Sequence, residues 1–156
     1  MLYYSFFQSY LSYGILLWGP TAYSYHINKI TIQQKKAVRF IKNCNKFCST
    51  RNLFKEFGIL DVSTLVDLEI LKIMYKIHND NIPGPIKDIF STIPEHNYST
   101  RCGNDPQFKQ KRNTATISNS FICKGPTLWT QLNADIKNSV SLKSFMKKYK
   151  RHIINQ

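Results

Sequence analysis

The chain has 156 residues and a formal net charge of +13, from 22 Lys and Arg against 9 Asp and Glu. That length suits one domain, or a small domain with a tail, and a folded chain of this size removes roughly 70% of its unfolded surface from water. Hydrophobic residues at 42% and aromatics at 13%, with only 6 Gly and 6 Pro, exclude a globally disordered or low-complexity chain. The charge is uneven. Residues 1–55 carry Lys29, Lys35, Lys36, Arg39, Lys42, Lys46, Arg51 and Lys55 and no acid, and residues 106–156 set a series of Lys and Arg against Asp135 alone. Such an excess calls for an acidic partner, a nucleic acid phosphate backbone or an anionic surface. Cys44, Cys48, Cys102 and Cys123 are too few and scattered for a disulfide scaffold, which with the lack of a charged leader region predicts an intracellular, reduced protein of cytoplasm or nucleus.

In chain order, Leu2 to Trp18 reads as one helix with apolar groups nearly all round: Tyr3, Phe7, Tyr10 and Leu17 on one stripe, Leu2, Phe6, Tyr13 and Leu16 on another. It wants burial on several sides and stops at Gly19–Pro20. Its longest unbroken apolar run, Ile15 to Trp18, is far below the ~18 residues of a membrane span. From about Tyr25 to Asn43, Ile27, Ile30, Gln34, Val38 and Ile41 keep a helical period, while Lys35, Arg39, Lys42 and Lys46 recur as a basic ridge on another face. Ser49 and Thr50 start a short helix that Gly58 ends. Ser63 to His78 is a longer helix, with Thr64 and Asp67 at capping-box spacing, an inner row of Val66, Ile70, Ile73 and Ile77, and Glu69 three residues before Lys72.

Pro83, Gly84, Pro85 and Pro94 mark a hinge around a short helix at Ile86 to Phe90. Residues 95–118 are polar and basic and read as an extended segment able to add a strand. A helix over about 119–132 joins Phe121, Leu128, Trp129 and Leu132, with Gly125 and Pro126 expected to kink or split it. Ser141 caps a last helix in which Leu142, Phe145, Met146, Tyr149 and Ile153 form an apolar seam opposite Lys143, Lys147 and Lys150. The fold class is therefore mainly α: a small multi-helix bundle over 1–80, a Pro/Gly hinge with an extended basic segment over 81–118, and a C-terminal helical segment over 119–156.

The chemistry that is missing is as informative. No two acids are adjacent, and Asp67 and Glu69, two apart on a helix, point to different faces, so a two-metal site is not expected. The spacing of Cys44 and Cys48 with His26 or His78 matches no paired zinc motif, and the glycines never cluster into a phosphate loop. What remains is cationic surface: Lys35, Lys36, Arg39, Lys42 and Lys46 on one helix and Lys143, Lys147 and Lys150 on another are candidates for phosphate contact. Arg101, with Tyr98 and Thr100 in the run His96 to Arg101, offers a guanidinium fork and a stacking ring. Trp129 shares helical spacing with Leu128 and Leu132 and reads as core. A protein-interaction module and a membrane-surface protein using Ser141 to Ile153 are the rival readings.

Several segments in order resemble the C-terminal region of reverse transcriptases of jockey-like non-LTR retrotransposons: LYYSFFQSYLSYGILLWG, INKITIQQKKAVRFI, LFKEFGIL, HNYSTR, and KGPTLW followed by a helix of the form S-x-x-x-F-basic. The likeness spans about residues 2–154 and departs after Trp129, where Thr130, Gln131, Leu132 and Asn133 stand in place of the family's WNxLP. The resemblance implies a thumb-like bundle that grips RNA or an RNA/DNA hybrid beside a palm domain, with Lys35, Lys36 and Arg39 in the matching QKKAVR string. The family's paired-aspartate motif falls upstream of every matching segment, so the resemblance implies a truncated fragment of an RNA-directed DNA polymerase. On that reading no catalytic residue, cofactor or metal ligand is expected in this chain, magnesium belonging to the missing palm, and no membrane is expected as a partner.

Overall fold

The opening segment is not one helix. In a computed structural model that describes residues 2–22, 24–87, 90–91, 107–108 and 119–154, it begins as a π-helical stretch, Tyr3–Gln8, and continues as α1 (Ser9–Ser12). The chain then breaks at Tyr13–Gly14 and resumes as α2 (Ile15–Trp18). The hydroxyls of Ser9 and Ser12 bond back to carbonyls of the preceding turn, Phe6 O at 3.4 Å and Gln8 O at 2.8 Å, a habit that bends helices. The break has a backbone cause. Tyr13 is extended and Gly14 sits at φ +62°, in the left-handed region that glycine enters without a Cβ penalty. Gly14 O then starts the new turn by accepting from Leu17 N at 2.8 Å, and Trp18 Nε1 donates to the freed Tyr13 O at 3.1 Å. The predicted continuous helix fails because the apolar period hides a glycine whose conformation no helix can use.

The chain is mainly helical, with α3 (Ser24–Lys42), α4 (Thr50–Phe57), α5 (Val62–His78), α6 (Gly84–Lys87), α7 (Phe121–Thr130), α8 (Ala134–Lys137) and α9 (Leu142–Ile154). A two-residue antiparallel pair, β1 (Phe90–Ser91) with β2 (Gln107–Phe108), sets Phe90 opposite Phe108. The strand expected within 95–118 is seen at Gln107–Phe108, and the rest of that segment lies outside the described residues. The short hinge helix falls earlier than expected, at Gly84–Lys87, because Phe90 is drawn into β1 and buried there. No helix among the described residues is long and apolar enough to cross a membrane.

Two compact units divide the chain, Met1–Val66 with Lys150–Gln156, and Asp67–Tyr149. In the first, Tyr3, Val38, Leu53 and Ile59 form a buried cluster, with Phe7, Cys44, Cys48, Phe54 and Phe57 packed on it. Gln34 interrupts the apolar face of α3: fully buried, its Nε2 donates to Tyr3 Oη and to Leu60 O, both at 2.7 Å, while its Oε1 has no partner among the described residues. Tyr4 Oη donates to Phe57 O at 3.2 Å and Gly58 O at 3.1 Å, fastening the opening segment to the end of α4. Gly58, at φ +61°, ends α4 as expected, and Ile59 N returns to Phe54 O at 2.9 Å. Close approach explains Gly19, where a Cβ would lie 2.5 Å from Ile15 O and 2.7 Å from Val66 Cγ2.

Asp61, not the predicted Thr64 and Asp67 pair, caps α5. Its Oδ1 accepts from Thr64 N at 3.1 Å and from the Thr64 hydroxyl, and its Oδ2 from Ser63 Oγ at 2.9 Å. In the second unit Leu68, Ile70, Leu71, Met74, Tyr75 and Ile77 of α5 are all buried, so the helix is covered on more than the predicted inner row, of which Ile73 is only half-buried. Helix α7 runs unbroken through Gly125 and Pro126, where a kink or split was expected, with both residues buried. Trp129 is fully buried as predicted, stacked on Phe145 at 6.0 Å between ring centroids, and Tyr75 lies 4.9 Å from Phe145 and donates to Ser139 O at 2.6 Å. The expected cap of α9 is present: Ser144 N donates to Ser141 Oγ at 3.2 Å.

Candidate nucleic-acid interface

Helix α3 positions the first basic group. Its buried line is Gln34 and Val38, with Ile27 and Ile30 half-buried beside them, while Ile41 is exposed at the end of the predicted packing face. At 3.6 residues per turn the side opposite that line is the stripe Tyr25, Lys29, Ile32, Lys36 and Phe40. All five are exposed, Tyr25 at 60%, Ile32 at 51% and Phe40 at 87%. The stripe extends about 22 Å along the helix axis at 1.5 Å per residue. Lys29 Nζ lies 4.4 Å from the Tyr25 ring centroid.

The predicted ridge flanks this stripe. Lys35 and Arg39 are half-buried between the packed and the open side, and Arg39 Nε donates to Cys48 O at 3.0 Å. Lys42 is exposed and ion-paired with Glu56; its ammonium, 5.6 Å from the Phe57 ring centroid, is held above the usual lysine range by the hydrogen bond and charge of that carboxylate. Lys46 does not continue the helix. Asn43, at φ +55°, ends α3 after Lys42, Cys44 N closes on Arg39 O at 3.0 Å and Cys48 N on Asn45 O at 2.9 Å, so Lys46 and Phe47 stand on the turn that follows. There Phe47 is 83% exposed and Lys46 Nζ lies 5.0 Å from its ring centroid. Of the predicted group, Lys36 lies on the open side of the helix, and Lys42 is exposed at its end but paired with Glu56. Lys29, Tyr25, Phe40 and Phe47 were missed, although counting i+4, i+7, i+11 and i+15 from Tyr25 finds the first three.

Within α9, Lys143 and Lys147 are exposed on the side away from buried Phe145 and Tyr149, and Arg151 extends their row. Lys150 is half-buried, its Nζ 5.9 Å from the Tyr4 ring centroid. Arg101, with Tyr98 and Thr100, lies outside the described residues.

Among the described residues, Glu56, Asp67 and Glu69 are ion-pair partners and Asp61 is a cap. Asp67 Oδ1 is 2.6 Å from Lys124 Nζ, and Glu69 Oε1 is 2.5 Å from Lys72 Nζ. Among the described residues no three His, Cys, Asp or Glu side chains gather as a metal site. Cys44 and Cys48 are half-buried free thiols; burial, then a hydrogen bond with Cys48, pushes the Cys44 thiol up from its ordinary pKa. No protein-family model, curated protein or solved structure matches the chain.

Proposed function

We propose that the chain is a non-catalytic C-terminal piece of a retrotransposon RNA-directed DNA polymerase, contributing general binding of RNA or RNA/DNA backbone inside the cell, with magnesium and the reacting carboxylates on a palm domain. The order of family-like segments supports the origin. One observation carries the activity: Lys29, Lys36 and Lys46 project from an acid-free stretch, and among the described residues none of them is paired with a carboxylate. Three such cations near a phosphate chain displace condensed counterions without reading sequence.

The test is charge reversal. Lys29→Glu, Lys36→Glu and Lys46→Glu together are expected to weaken binding to unrelated RNA sequences alike and to flatten the log–log salt slope by about 2, at about 0.7 per contact on a single strand. Unchanged affinity at both low and high salt removes this surface from the account. A second reading, a protein-interaction module, is favoured by the exposed Leu2, Phe6, Tyr10, Tyr13 and Leu17 of the opening segment. It predicts association with a protein that salt does not weaken, and no RNA binding.

A further inference from the structure

We infer that the outward stripe of α3 and the turn after it form a stacking platform for unpaired bases, so that the chain holds single-stranded nucleic acid in preference to duplex; this rests on the nucleic-acid reading above. The composition of the surface is the reason. Cations alone would fit any phosphate backbone, but here they lie between rings: Tyr25, Lys29, Ile32, Lys36 and Phe40 along one exposed line, then Lys46 and Phe47 on the adjoining turn. Phe40 at 87% and Phe47 at 83% exposure contribute almost nothing to the fold, so packing does not account for them.

A duplex has little use for such rings, because its base faces are stacked on one another and only edges and backbone are presented. An unpaired strand presents free π faces that an aromatic side chain can cover, whatever the base. The lysines are placed to serve both parts of each nucleotide. Lys29 Nζ, 4.4 Å from the Tyr25 centroid, and Lys46 Nζ, 5.0 Å from the Phe47 centroid, hold positive charge against the rings on which bases would lie. Lys29 and Lys36 are separated by about 10 Å along the axis, so that they meet different phosphates of the strand. A protein partner suits the surface less well, since burying Lys29 and Lys36 against apolar atoms would strand their charges.

The experiment uses the full chain and Phe40→Leu with Phe47→Leu, a double variant that keeps apolar bulk at two exposed positions and removes the rings. Affinities are measured at one salt concentration for an unstructured oligouridylate and for a blunt-ended RNA duplex of equal nucleotide number. Vesicles containing phosphatidylserine are the third probe. Expected is a loss of at least about 5-fold per ring on the single strand, the lower end of what one stacked base contributes, with the duplex affinity within about 2-fold of the parent. Equal losses on both RNAs, or no loss on the single strand while Lys29→Glu and Lys36→Glu still weaken it, overturn the platform and leave general phosphate binding standing. An unvaried chain that binds neither RNA overturns both readings. Vesicle binding that competes with RNA and survives the leucine changes shows an anionic membrane surface as the occupant, and also overturns the platform.

Discussion

Substituting Gly125 by Ala probes how closely α7 sits on α5. A Cβ at this position would stand 2.7 Å from Met74 Sδ, 3.2 Å from Met74 Cγ and 3.5 Å from Ile70 Cγ2. Contacts between non-bonded carbons are optimal at about 3.5–4.0 Å, so Ile70 can stay while Met74 must move, and Met74 is fully buried. Overpacking of this kind costs about 1–3 kcal/mol, and replacing a mid-helix glycine by alanine returns about 1 kcal/mol of helix propensity. The expected net loss is about 0–2 kcal/mol, read as a shift in the urea midpoint at constant m-value. Met74→Ala alone should cost more, about 2–5 kcal/mol, by leaving a cavity. In that background the clash is gone, so Gly125→Ala should be neutral or stabilising, giving a coupling of about 1–3 kcal/mol, the overpacking cost, in the double-mutant cycle. Gly125→Ala that destabilises equally in both backgrounds refutes the close approach.

Gly14→Ala places a Cβ at φ +62° and should cost about 1–2 kcal/mol by thermal melting, although the nearest atom to that Cβ, Trp18 Cδ1 at 3.9 Å, leaves room for it; full stability would show that the break at Tyr13–Gly14 is not fixed. Asp61→Ala removes the cap of α5 and should cost about 0.5–2 kcal/mol by urea unfolding, while Asp67→Ala, which loses only a partly exposed pair with Lys124, should cost less. The Tyr3 hydroxyl is raised above the usual phenol range by burial, against the pull of the Gln34 amide. The unfolded chain therefore loses this proton first, and stability is fully present below about pH 10 and falls as pH rises above it. Tyr3→Phe should flatten that alkaline loss in pH-dependent unfolding and, by taking one acceptor from buried Gln34, lower stability at neutral pH by about 1–3 kcal/mol.

Periodicity made the helices legible wherever one face decides burial. The seam of α9 shows it: Phe145 and Tyr149 are buried where the spacing puts them, and Trp129 shares the same core. Local chemistry also made Gly58 and Ser141 readable, since a stop or a cap acts within one turn. What escaped depends on partners distant in sequence or on a single backbone angle. Gln34 looks like a flaw in the face of α3 until Tyr3 Oη and Leu60 O accept from its amide, and neither can be placed from α3 alone. Gly14 breaks the opening helix although the apolar pattern runs through it. The ridge was misplaced for a related reason: Lys35, Arg39 and Lys42 share a helical line, but only the position of buried Gln34 and Val38 shows that this line flanks the open side, and the left-handed Asn43 carries Lys46 off the helix altogether.

In the proposed function the exposed lysines of α3 and its following turn meet a polyanion. Titrating the full chain with an unstructured oligouridylate across about 50–200 mM salt is the test: Lys29, Lys36 and Lys46 predict a log–log slope of about −2. A slope near zero, or no binding at the lower salt, contradicts it.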